Sequence, residues 1–280
     1  MGKSNSFNID GILKNHLWEL VAVGIFLLAY VPALIWMWDR WFVHDSYYSH
    51  GILVPFVTGY LIWQKRDELA AIPKKSSPWG LPLIVTGALI HMGSSLFRVY
   101  FSSAFSMMIV FIGMILYFYG EKVFKKILFP IAFLVFMIPL PLVIITNISF
   151  KMKIFAAQIA EIILNKMGIP ALREGSMIKM QHAHVVVDDI CSGLRSLISL
   201  TALGSIFAYW MTSVMWRRIL LFLSTIPIAI ATNVFRILFL SLIAEIWGPQ
   251  YADGLTHDIS GFLVFALAFV LLYAMGKILE

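Results

Sequence analysis

The run ILLFLSTIPIAIATNVFRILFLSLIAEI, from Ile219 to Ile246, decides the class of fold. It exceeds the ~20 apolar residues that cross a ~30 Å hydrocarbon core. Comparable runs fall at Leu17–Trp38, Ile52–Trp63, Trp79–Phe97, Phe101–Tyr119, Ile127–Ile145, Cys191–Ser213 and His257–Gly276. The 280-residue chain is 60% hydrophobic and only 13% charged, about half the charged fraction of a soluble protein. The reading is an all-α polytopic membrane protein of about eight transmembrane helices, with residues 1–280 forming a single integral membrane domain.

Basic residues orient it. With all eight runs crossing and both termini cytoplasmic, the inner side holds Lys3, Lys14, Lys65, Arg66, Lys74, Lys75, Lys122, Lys125, Lys126, Arg217, Arg218 and Lys277, while the short outer connections carry Arg40 and Arg98. Were the short run at Ile52–Trp63 re-entrant, the Lys65–Lys75 cluster would sit outside, against the positive-inside bias. The net charge of +6 is thus accounted for by loops facing anionic lipid; membrane lipids are the expected partner and nucleic acid is not. The first run is longer than a signal-peptide core and lacks a small-residue cleavage site, so it reads as a retained anchor.

The segment 146–190 is the one sizeable extracytoplasmic insertion. Lys151, Gln158, Glu161 and Asn165 recur at helical spacing on one face, which predicts a short helix lying in the outer interface. SMIKM and AHVVV then read as a β-hairpin turning near Gln181 and His182.

Cys191 is the only cysteine, so no internal disulfide forms. It opens the sixth run at the outer end, where unpaired helix amides push a thiol toward thiolate; a buried small hydrophobe is the alternative. Arg236 stands eighteen residues beyond Arg218, ~27 Å along a helix at ~1.5 Å per residue, which brings it to the depth of Cys191. Its alternatives are snorkelling to headgroups or a functional site inside the bundle. Asn233 shares its face. His257 begins the last run at the same outer level; alone it reads equally as an interfacial anchor. Together, a thiol, an imidazole and a guanidinium reach one membrane face from three spans, and acyl transfer needs a nucleophile, a proton shuttle and an oxyanion donor. His182 and His184 lack a third ligand and make a weak metal signal. His91, Ser94 and Ser95 read as polar packing. Asp188 and Asp189 are neighbours outside one span, unlike the facing carboxylates of an aspartic protease. No cofactor and no metal is expected.

CSGLRSL (191–197), NVFR (233–236) and HDISG (257–261) resemble the three blocks of the exosortase/archaeosortase membrane transpeptidases. DSYYSHGILVP (45–55) is similar to that family's amino-terminal Tyr-x-His-Gly segment, which contributes His50, and PLP (139–141) and GIPALREGSMI (168–178) resemble its mid-chain stretches. The likeness runs from about Trp38 onward, and the CSG form is closer to the bacterial branch. It implies cleavage of the carboxy-terminal sorting signal of membrane-anchored exported proteins: a short motif, a transmembrane helix and a basic tail. It places Cys191, Arg236 and His257 on the catalytic positions and Asp189 on the usual acidic one. Ser192 and Arg195 fall in the cysteine block, in supporting or substrate-binding roles. The acceptor would be an amine on a lipid or glycan, or water. The rival reading is a polytopic transporter or polysaccharide-export component in which Cys191 is incidental.

Overall fold

The computed structural model describes residues 9–187, 193–252 and 254–280, with the side chains of residues 9–16, 255, 257 and 258 outside the description. In chain order come α1 (Ile9–Phe42), a 3-10 turn (Ser49–Ile52), α2 (Leu53–Trp63), α3 (Arg66–Ala70), α4 (Gly80–Leu96) and α5 (Tyr100–Phe118). There follow α6 (Glu121–Lys126), α7 (Leu128–Phe133), a second 3-10 turn (Leu134–Met137) and α8 (Leu142–Lys166). Strands β1 (Leu172–Glu174), β2 (Met177–Lys179) and β3 (His184–Val186) precede α9 (Leu194–Trp210), α10 (Met215–Trp247) and α11 (Leu255–Leu279). Among the described residues five helices are long and apolar enough to cross a membrane: Leu17–Phe42, Tyr100–Phe118, Leu142–Lys166, Met215–Trp247 and Ile259–Leu279. Shorter apolar helices cover Ser49–Trp63, Gly80–Leu96, Leu128–Met137 and Leu194–Trp210. This is a polytopic helical membrane protein.

Two expectations need correction. The run Ile127–Ile145 is not one helix: it breaks into α7 and a 3-10 turn, and helix resumes only at Leu142. Prolines 139 and 141 explain the break, because the residue before a proline is driven out of the α region and proline donates no amide; Ile138 sits at φ −85°, ψ 113° and Pro141 at ψ 139°. The predicted short helix from residue 146 instead begins at Leu142 and runs unbroken for 25 residues.

The chain divides into two compact units, one of residues up to Arg40 with Leu53–Ile138, the other of Trp41–Ile52 with Pro139–Glu280. In the first, α4 and α5 pack closely because glycines remove side chains at the crossing: a β-carbon on Gly87 would meet Val110, and one on Gly113 would meet Ile84. Small residues serve this purpose in hydrocarbon, where lipid tails are as apolar as leucine and helices associate through packing and hydrogen bonds. Accordingly the buried polar groups here pair off. Tyr30 bonds Ser106 at 3.0 Å, His91 bonds Ser103 at 2.9 Å and Ser94 donates to Ser102 at 2.9 Å, so His91 and Ser94 are polar packing.

In the second unit α10 is the central element. One face meets α8 and the sheet through Ala156, Ala157, Ala160, Leu164, Ile178, Val187, Val234 and Ile237. A second face meets α9 and α11 through Leu200, Leu221, Ala229, Ala268 and Leu272. The outward faces stay apolar, as on α11, where Phe262 is 80% exposed while Ala268 and Leu272 are fully buried; such a surface suits lipid and not water. The strands form a three-stranded antiparallel sheet in the order β1-β2-β3, with Leu172 opposite Lys179 and Met177 opposite Val186. The polar stripe of α8 holds this sheet. Glu161 accepts the Arg173 amide at 2.9 Å, and Asn165 makes two 2.9 Å bonds with the Ala171 backbone. At the turn between β2 and β3, the His182 amide donates to both carboxylate oxygens of Glu245 at 3.1 Å and its Nδ1 lies 2.9 Å from the same group. That pairing occupies His182 as an anchor for the sheet on α10.

Candidate active site

Helix α10 continues without interruption from Met215 to Trp247, so the axial spacing inferred between Arg218 and Arg236 stands. Nine residues, ~14 Å at ~1.5 Å each, separate Arg236 from Glu245 and the sheet. At that depth Arg236 is 9% exposed, and Asn233, one turn earlier, is 3% exposed. A buried arginine is costly unless its N–H groups find acceptors. Here Nε donates to the fully enclosed Ser260 hydroxyl at 3.0 Å, and a β-carbon on Gly261 would stand 3.6 Å from Nη2. Ser260 and Gly261 therefore form the wall of α11 against which the guanidinium lies. By backbone register they follow position 257 at three and four residues on the same helix.

Helix α9 approaches from the other side. Its N-cap is Gly193, in the left-handed region at φ 78°, where glycine alone is unstrained. A β-carbon there would stand 2.7 Å from Cγ of Asn233, so the closeness of the two chains also requires glycine. The helix begins at Leu194 and not at the cysteine, which shifts its first unpaired amides beyond the position expected from sequence. Cys191, Ser192 and Asp189 lie outside the described residues, as does the side chain of His257. Gly193 of α9 and Ser260 of α11 thus lie against Asn233 and Arg236, on adjacent turns of α10, within one unit.

A strap from Trp41 to Ile52 covers the next turns of α9. Asp45 accepts from Nη2 of Arg195 at 3.3 Å and pairs with His44 at 2.7 Å. Nδ1 of His50 bonds the hydroxyl of Ser199, one turn past Arg195, at 3.2 Å. Tyr48 stacks on His50 at 5.9 Å between ring centres, and burial pushes the Tyr48 hydroxyl up from its ordinary value, partly offset by the backbone of Leu140. Gly51 meets the face of Trp41, leaving no room for a side chain. Among the described residues Nε of Arg195 is buried and has no hydrogen-bond partner.

Arg236 and Asn233 thus lie one turn apart on α10, and separately the strap pairs with α9, Asp45 with Arg195 and His50 with Ser199. Ser260, Ser199 and Asp45 were not singled out from sequence as partners. Their signal was present but faint: Ser260 and Asp45 lie inside quoted blocks and Ser199 two residues beyond one, with Ser260 three residues past His257 and Ser199 four past Arg195. Among the described residues no group of three His, Cys, Asp or Glu side chains forms a cation site.

These features define a helical membrane protein with a buried, hydrogen-bonded arginine beside the start of another helix. The transmembrane exosortase family model matches residues 38–274, and the chain belongs to that family. No curated protein matches it, and no solved structure does.

Proposed function

We propose that the chain is a membrane-embedded cysteine transpeptidase or protease that removes the carboxy-terminal sorting signal from exported proteins. The observation that carries this reading is the convergence on Arg236: Ser260 and Gly261 one turn past His257, and Gly193 two residues past Cys191, against Asn233. In the proposed reaction the Cys191 thiolate attacks the scissile carbonyl carbon, and Arg236 donates hydrogen bonds to the oxyanion that forms. His257 protonates the departing amine, the C–N bond breaks, and an acyl thioester remains. An incoming amine or water gives its proton to His257 and attacks the thioester, releasing the thiolate and the shortened protein. Asp189, Asn233 and Ser192 support this site, and Arg195 and His50 hold α9 beneath the strap. The proposed setting is the cytoplasmic membrane, with eight crossings, cytoplasmic termini and the site at the outer face. Substrates are membrane-anchored exported proteins, and the acceptor is a lipid or glycan amine or water.

The test is trapping. Wild-type, Cys191→Ala and His257→Ala forms are co-expressed with an exported protein carrying a motif, a transmembrane helix and a basic tail. The expected result is shortening of that protein and a hydroxylamine-sensitive adduct on the enzyme, both lost with Cys191→Ala. Shortening that persists in Cys191→Ala overturns the thiol mechanism.

A further inference from the structure

A groove of about 300 Å³ lies at one end of the first unit, lined by Pro73, Lys75, Ser76, Pro78, Tyr119 and Lys122 together with Ser77 and Glu121. Its walls are set by backbone contacts. The Ser77 amide donates to the Leu116 carbonyl at 3.0 Å, and Gly120, at φ 86°, passes directly against the Lys75 carbonyl, where a β-carbon would collide with it. The two lysines are therefore held on facing chain segments by a fixed crossing.

Most neighbouring charges are matched. Lys74 meets Glu19 at 3.3 Å, Lys126 meets Glu68 at 2.8 Å, and the Glu121 carboxylate, itself on the groove wall, accepts from the Ser77 hydroxyl at 3.0 Å. Lys75 and Lys122 have no carboxylate partner among the described residues. Tyr119 adds no negative charge. Its burial, together with its bond to Glu19, pushes its hydroxyl up to about 12, and it donates to that carboxylate at 2.8 Å. Two unmatched ammonium groups and the Ser76 hydroxyl thus face a cleft containing one carboxylate already engaged.

The level of the groove identifies the ligand. Trp79, at the start of α4, is 65% exposed and Trp63, at the end of α2, is 57% exposed, the positions of an aromatic belt at a membrane–water boundary. A phosphate site at that depth meets headgroups. We propose that this groove binds the phosphate headgroup of an anionic phospholipid, with Lys75 and Lys122 as its two cationic walls.

The test uses the full-length chain in nanodiscs of phosphatidylcholine with or without phosphatidylglycerol, followed by native mass spectrometry of retained lipid. A basic side chain near an anionic surface contributes ~1 kcal/mol, so Lys75→Ala/Lys122→Ala is expected to weaken phosphatidylglycerol retention about tenfold or more. Lys75→Arg/Lys122→Arg should retain it, and Lys151→Ala/Lys166→Ala, which removes the same charge from α8, should leave it unchanged. Lys75→Gln/Lys122→Gln supplies a second neutral pair should the alanine form not fold. Equal retention in the neutral pair, or equal loss in the α8 pair, overturns the site. Displacement of phosphatidylglycerol by millimolar inorganic phosphate assigns the groove to free phosphate and overturns the lipid reading. None of these outcomes depends on peptidase activity.

Discussion

Arg236 is buried where a charge must be paid for by hydrogen bonds, and Ser260 supplies one of them. Removing an acceptor from a buried donor costs ~1–3 kcal/mol, so Ser260→Ala should slow substrate shortening about tenfold or more, with Ser260→Thr recovering most of the rate. Under the proposed mechanism Arg236→Lys should fall further, by about 10²-fold, because one ammonium cannot both hold Ser260 and present a planar fork to an oxyanion. Initial rates in membranes of matched enzyme content measure both; an unimpaired Ser260→Ala would remove the hydroxyl from any positioning role. The arginine was legible in the sequence because a charge inside an apolar run stands out energetically. The serine was not, since small hydroxyl residues recur throughout membrane helices and only the packing of α11 on α10 distinguishes this one. Gly193 was visible as part of a motif, but its need for a left-handed backbone beside Asn233 is a fact of three dimensions.

Among the elements, those that follow from apolar length, α1, α5, α10 and α11, match their hydrophobic runs to within a few residues, apart from the longer amino-terminal end of α1. The stretch around Pro139–Leu140–Pro141 does not, because hydropathy sums side-chain character and is blind to a backbone that cannot continue a helix. The strands at 177–179 and 184–186 fall within the two stretches whose composition suggested them, while β1 added a third that three residues of mixed character did not announce. Besides the apolar packing of Ile178 and Val187 on Val234 and Ile237, the sheet is tied to α10 by the Glu245 carboxylate, and bonds to a charged group are worth ~1.5–3 kcal/mol. Glu245→Ala should therefore raise amide exchange across residues 177–187 by about tenfold or more at neutral pH, read by hydrogen–deuterium exchange of the detergent-solubilised protein. Unchanged exchange there would mean that packing on α8 and α10 holds the strands without the Glu245 bonds.

For the whole molecule the number of crossings is the quantity that sidedness depends on, and α8, long enough to span, lies between the basic loops and the sheet. The eight-span arrangement puts exposed Lys75 and Lys179 on opposite sides of the membrane. In a Cys191→Ser background, a cysteine at position 179 should react with an impermeant maleimide in intact cells, whereas one at 75 should react only after permeabilisation; labelling of both from outside would overturn that arrangement. Loop charge supplies the proposed orientation, whereas the division of the chain is not readable from sequence, because the strap of residues 41–52 belongs to the second unit while the helices following it in sequence belong to the first. Asp45 and Arg195 are 150 residues apart in the chain. At ~5–20 residues per second of synthesis, the ribosome delivers the strap roughly 8–30 s before the helix it must clasp exists. The newborn protein thus carries an unfinished clasp through most of its translation, and a fragment starting at Pro139 would be born without it.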